Sequence, residues 1–123
     1  MKVIETQNAP AAIGPYSQGL DLGNLVFFSG QIPVNPATGE IPATIEEQTH
    51  QAMKNVEAVL AAAGLTTKNV VKTLIFLADL EDFAAMNEIY ESYLQKPYPA
   101  RSCVQVAGIP KGAKVEIECI AAR

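Results

Sequence analysis

The residues with the most usable chemistry lie near the end of the 123-residue chain: Arg101, Cys103, Gln105, Lys114, Glu116 and Glu118. They alternate with apolar residues in two segments, Arg101–Ala107 and Ala113–Ala121, joined by a Gly-Ile-Pro-Lys-Gly connection. The period of two predicts a strand for each. Placing Val104 and Val106 on the same core face as Val115, Ile117 and Cys119 makes the pair a hairpin. In that register Cys103 stands opposite Glu116 or nearly so, the six polar residues share the other face, and the two cysteines fall on opposite faces. An arginine there suits planar, bidentate recognition of a carboxylate. A glutamate suits orienting a water or taking its proton. The plainer alternative is an Arg101–Glu118 ion pair on a wet surface, which contributes little. On these residues alone that alternative is preferred, although a free thiol in the middle of a solvated face is unusual.

The elements that must position this patch are legible upstream. Tyr16–Leu22 and Leu25–Ser29 read as strands joined by the two-residue turn Gly23-Asn24. Gln31–Pro42, with three prolines, Asn35 and Gly39, reads as a loop. Thr44-Ile45-Glu46-Glu47 is a capping box opening a helix. Its stripe is Ile45, Ala52, Met53, Val56, Val59, Leu60 and Ala63, and Gly64 ends it. His50 lies off the stripe beside Glu46, Lys54 and Glu57, and reads as a solvated surface histidine. Asn69–Ala78 is a strand with apolar residues on both faces: Val71, Ile75 and Leu77 on one, Val70, Leu74 and Phe76 on the other. Asp79 caps a second helix ending near Leu94, with the stripe Phe83, Met86, Tyr90, Tyr93 and Leu94. Asn87 falls inside that stripe. It either bonds nearby backbone or lines a site, and its spacing leaves both open. Pro97 and Pro99 bracket a turn.

Strands, helix, strand, helix and two strands make an α+β sheet with both helices on one face. Val70, Leu74, Phe76 and Ile120, with either Val26 and Phe28 or Leu25 and Phe27, would then be uncovered on the other. An apolar patch of that size implies a partner, and a second copy of the chain is the simplest one.

Composition narrows the function classes. One domain spanning 1–123 is expected at this length. With 49% hydrophobic residues a sizeable core is available. The formal charge of -4 and nine scattered Lys and Arg residues count against nucleic acid. The N-terminus lacks the apolar stretch of a signal peptide and no segment is long enough to span a bilayer, so a cytoplasmic, reducing location is expected. Two cysteines without C-x-x-C spacing and a single histidine make a zinc site hard to assemble.

Several segments resemble one family across nearly the whole chain: NAPAAIGPY at the start, GPYSQG (14–19), SGQIPVNPATGEIP (29–42), AGLTTKNVVKTLIFLADLEDFAAMNEIYESYL (63–94) and PARSCVQVAGIPKGAKVEIECIA (99–121). They resemble the reactive intermediate deaminases, the RidA or YjgF family, and P-A-R-S-C followed by V-E-I-E is the most specific part. The resemblance implies a chorismate-mutase-like α+β fold, a homotrimer with sites at subunit interfaces, and no metal or organic cofactor. It implies hydrolysis of 2-imino acids, 2-iminopropanoate and 2-iminobutanoate, to 2-oxo acids and ammonia. It implies that Arg101 holds the substrate carboxylate, that Glu116 serves the attacking water, and that Tyr16, Ser29, Asn87 and Cys103 line the pocket, with Tyr16 able to donate to or orient the substrate. Cys103 is expected to be a lining residue and not a nucleophile. Rival readings are an RNA-directed nuclease or translation inhibitor, a non-enzymatic carboxylate-binding or holdase protein, and a mutase suggested by the fold alone.

Overall fold

Thr44 starts the first helix, α1 (Ile45–Ala62), by accepting the Glu47 N–H at 3.1 Å. Its hydroxyl also donates to the Glu47 carboxylate at 2.9 Å, so the carboxylate meets the hydroxyl rather than the backbone. At the other end Gly64, at φ +74, takes the left-handed turn expected of a helix-terminating glycine. The Leu65 and Gly64 N–H groups satisfy the carbonyls of Leu60 and Ala61. Ala52, Met53, Val56, Val59 and Leu60 are all buried, as their spacing requires.

A computed structural model describes residues 1–123. The strands are β1 (Lys2–Ile4), β2 (Gly19–Asp21), β3 (Leu25–Gln31), β4 (Val70–Leu77), β5 (Ala100–Gln105) and β6 (Val115–Ala122). They form one mixed sheet in the order β1-β2-β3-β6-β4-β5. The second helix, α2 (Phe83–Glu91), follows a short 3-10 turn over Leu80–Asp82, and it is this turn that Asp79 caps. Both helices cover one face, giving the α+β architecture. Their core joins Met53, Val56, Leu60 and Met86 to Val26, Phe28, Ile75, Leu77, Val115 and Ile117.

The last two strands are not a hairpin. β4, α2 and β5 form a parallel strand–helix–strand unit, with Thr73 beside Arg101 and Ile75 beside Cys103. A parallel pair needs a long crossover, and α2 supplies it. That leaves the other edge of β4 for β6, which pairs there antiparallel and meets β3 on its far side. Three sequence-based expectations change. Cys103 stands opposite Ile75, not Glu116. Arg101, Cys103 and Gln105 share the helix-covered face with Cys119, so Val104 is turned to the open face with Glu116 and Glu118. The two cysteines share one face, yet remain unpaired. They lie two strands apart, roughly 10 Å by strand spacing, beyond the reach of a disulfide.

A second departure lies in β4. Its register with β6 shifts between Val70 and Lys72, so Val70 turns inward with Thr73, Ile75 and Leu77. Val70 is 7% exposed and Val71 is 45% exposed, the reverse of what strict alternation predicts. The open face therefore carries Leu25, Phe27, Leu74, Phe76, Val104 and Ile120, without Val70.

The bulge makes a direct test. Val70→Ala removes two buried methyl groups and should cost about 2 kcal/mol. Val71→Ala should stay within about 0.5 kcal/mol. Urea titration of both variants measures the difference, and equal costs would show that the shift in register is wrong.

Candidate active site

Arg101 is positioned from two directions. The parallel pairing of β5 puts its side chain on the helix face beside Thr73, and α2 passes over it. The Arg101 Nη1 donates to the Asn87 carbonyl oxygen at 2.6 Å. The guanidinium carbon lies 5.2 Å from the Tyr90 ring centroid and 5.5 Å from that of Phe83, within cation–π range of both. The spacing that put Asn87 inside the apolar stripe of α2 thus resolves: the stripe is the contact face, and Asn87 bonds the one charge it meets there. Tyr90 is held in turn by a 2.8 Å hydrogen bond between its hydroxyl and that of Thr73. A cavity of about 340 Å³ opens at this point, lined by Asn87, Tyr90, Glu91, Tyr98, Pro99 and Arg101. No carboxylate pairs with Arg101, and the protomer's single ion pair joins Arg123 to Asp21.

Glu116 belongs to a different group. It extends from the open face of β6, where Phe76 stands beside it. On β3 the pairing with β6 slips between Phe28 and Gln31, and Gly30 sits in that irregularity. A Cβ on Gly30 would lie 2.8 Å from the Glu116 Cδ, so only glycine lets the carboxylate pack against this backbone. Ser29 is tied to the preceding segment by donating to the Ser17 carbonyl at 2.6 Å. Tyr16, adjacent to Ser17, is half exposed. It lines a cavity of about 460 Å³ together with Gly30, Gln31 and Lys111, and a groove with Ser29 and Glu118.

The six residues singled out in the sequence therefore fall into two sets. Arg101, Asn87 and Cys103 lie on the helix face around the β4–β5 edge. Tyr16, Ser29 and Glu116 lie on the side of the open face. Arg101 and Glu116 are separated by two strand spacings across and three residues along, each roughly 10 Å, and their side chains leave opposite faces. The shared polar patch expected from a hairpin does not exist within one protomer. Gly30 is a site residue that the sequence reading missed. Its signal was a glycine directly after the strand read at Leu25–Ser29, where a glycine can mark a bulge or a close approach.

Burial raises the Glu116 carboxyl above the ordinary carboxylate range, and Glu118 two residues on adds to the shift. Burial also raises the Cys103 thiol, against an opposing pull from Arg101. Cys119, in the core, is pushed up to about 12. His50 is on the surface, as expected, and its Nδ1 lies 2.8 Å from the Tyr93 hydroxyl. No group of three or more His, Cys, Asp and Glu side chains converges as a metal site would require.

Thiolate, not thiol, reacts with alkylating agents. Because both thiol pKa values are raised, native protein at roughly neutral pH should react with iodoacetamide more slowly than an unfolded control. Cys103 should precede Cys119, and both rates should climb as pH rises above the ordinary thiol range. Mass spectrometry of each cysteine peptide reads this out. Fast labelling of Cys103 at neutral pH would mean an activated nucleophile instead of a lining group.

Comparison with known proteins agrees with this fold. The Endoribonuclease L-PSP family model matches residues 6–123. The 2-iminobutanoate/2-iminopropanoate deaminase of Escherichia coli K12 is 55% identical, over 99% of this chain and 98% of that protein. The crystal structure of E. coli TdcF with bound serine superposes with a TM-score of 0.97 at 55% identity, covering 100% of this chain and 99% of that one. RidA from the Antarctic bacterium Psychrobacter sp. PAMC 21119 gives a TM-score of 0.97 at 45% identity, covering 100% of both chains. With its sequence matched nearly end to end and its fold superposing on theirs, the chain belongs to the Endoribonuclease L-PSP family, among the RidA reactive intermediate deaminases.

Proposed function

We propose that this protein hydrolyses 2-imino acids with short side chains, 2-iminobutanoate and 2-iminopropanoate among them, to 2-oxo acids and ammonia. It does so as a homotrimer in the cytoplasm, with each site completed between two copies. The observation that carries this reading is Arg101, a guanidinium gripped by Asn87 and two aromatic rings, which opens onto a cavity and forms no ion pair with any carboxylate of the protomer. Such a group is prepared to receive the carboxylate of a small ligand. A 55% identical relative bears the name of this activity.

The chemistry follows from the substrate. A 2-imino acid carries its carboxylate next to a carbon–nitrogen double bond, and a proton on the nitrogen makes that carbon electrophilic. Arg101 fixes the carboxylate, so that attack by water becomes a positioned event. Glu116, contributed by the adjoining copy, orients the water and takes its proton as the new C–O bond forms. Its raised pKa suits a base working near neutral pH. The carbinolamine that results breaks its C–N bond and releases ammonia, with Tyr16 donating to or orienting the substrate. Ser29, Asn87 and Cys103 complete the walls, and no step requires a thiol adduct.

The open face supports the assembly. Leu25, Phe27, Leu74, Phe76, Val104 and Ile120 would not stay in water at that density, and covering them with another copy brings a second set of site residues to each Glu116. RNA cleavage, suggested by the family's description, is disfavoured by the net charge of -4 and by a pocket holding one cation.

A coupled assay tests the reaction: a threonine dehydratase releases 2-iminobutanoate, semicarbazide traps it, and added protein should divert it to 2-oxobutanoate. Arg101→Lys keeps the charge and loses the planar fork, so 2-oxobutanoate binding and turnover should both fall, turnover by about 100-fold or more. Glu116→Gln should keep most of the binding and lose turnover by about 100-fold. A fully active Glu116→Gln would mean that water is activated elsewhere.

Equilibrium sedimentation should show a species of three chain masses even in dilute solution. A stable monomer would remove the interface and with it the meeting of Arg101 and Glu116.

A further inference from the structure

The Arg101 cavity has a rim with its own chemistry. Glu91 closes α2, one helical turn beyond Asn87 and so on the same side of the helix. Tyr98 sits in the segment that leads into β5. Both line the cavity, and the Tyr98 hydroxyl donates to Glu91 Oε1 at 3.1 Å, joining the helix end to the loop. The cavity thus holds one cation, Arg101, and one anion, Glu91, in a volume of about 340 Å³, the small end of the range for ligand sites.

Asn87 satisfies part of the guanidinium, and a ligand carboxylate takes the rest. Whatever the ligand carries at its other end is then directed at the rim. We infer that Glu91, through its charge, is a specificity-determining residue: it admits 2-imino acids with short neutral side chains and rejects those bearing a second carboxylate. This rests on the reading of Arg101 as the carboxylate holder.

Two physical terms act in the same direction. A second ligand carboxylate and Glu91 are like charges at the rim of one small cavity and repel each other. A second carboxylate would also lose water without gaining a donor, because the phenol at the rim is already engaged. The Glu91 bond holds the Tyr98 hydroxyl above its ordinary pKa, so it stays a donor committed to that partner. A methyl or ethyl side chain meets neither cost.

Binding of stable 2-oxo acids separates this from the catalytic reading. Titration calorimetry of the assembled protein should show 2-oxobutanoate binding at least about tenfold tighter than 2-oxoglutarate. Glu91→Gln, which keeps the shape and removes the charge, should shrink that ratio by about tenfold, mainly through stronger 2-oxoglutarate binding. Tyr98→Phe leaves the charge and should hold the ratio within about threefold. Matching thermal melts confirm that both variants are folded, as their exposed positions allow. A ratio unchanged in Glu91→Gln overturns the assignment, as does an equal collapse in Tyr98→Phe, which would make the selection one of shape. If neither 2-oxo acid binds the parent, the inference falls together with the proposed function. If both bind and only the ratio is insensitive, the rim assignment falls alone.

Discussion

The double pairing of β6, with β3 on one side and β4 on the other, is the constraint on which the rest depends. It puts four buried residues, Val115, Ile117, Cys119 and Ala121, at the centre of the core. The same alternation turns Glu116 and Glu118 to the face no helix covers. It also displaces β5 to the sheet edge, where Arg101 comes under α2. Core, open face and division of the polar residues are therefore consequences of one strand's position.

That division has an electrostatic consequence. Arg101 and Glu116 side by side in one protomer would neutralise each other, and a ligand carboxylate would have to compete with a built-in one. Apart, each is held in a state suited to the role proposed for it. The arginine is supported by an amide oxygen and two ring faces, which orient it without cancelling its charge. The glutamate, half-buried against Gly30 with Glu118 nearby, is a stronger base than a free carboxylate. Rigidity comes from the same source, since both side chains start from sheet strands instead of loops.

Much of this was legible in the sequence, and the parts that were not share a cause. The α1 signals are local: Thr44 and Glu47 are three residues apart, and the apolar stripe needs only a 3.6 period. The faces of β6 followed from alternation in the same way. Alternation, however, says which face a residue occupies and not which strand lies beside it. Arg101–Ala107 and Ala113–Ala121 looked like a hairpin because they are consecutive, while the crossover through α2 had already committed β5 to β4. The error in Val70 and Val71 arose from the shift that resets the period, for which neither residue type gives a sign. Buried amides were hidden for a further reason. Asn55 donates to the carbonyls of Ile32 and Val34, and Gln48 donates to that of Pro42 while accepting the N–H of Lys114. Both hold the loop after β3 onto α1, and the partners Ile32, Val34 and Lys114 are far off in sequence.

Those amide bonds complete the account of how the Glu116 side is held. Gly30 can approach the carboxylate only if the chain after it turns away at once. The turn begins at Gln31, which swings back to the helix face opposite Ile117, and is secured where Asn55 grips Ile32 and Val34. Asn55 is almost fully buried and its NH₂ group makes both bonds. Losing it would leave the Val34 carbonyl without its donor, at a desolvation cost of roughly 1–3 kcal/mol, and the Ile32 carbonyl with the Val34 N–H alone. The helix that looks, from its apolar stripe, like a plain cover for the sheet is thereby also the support that fixes the bend beside Glu116. Polar residues buried on α1 position one part of the proposed chemistry, and a polar residue within the apolar stripe of α2 positions the other.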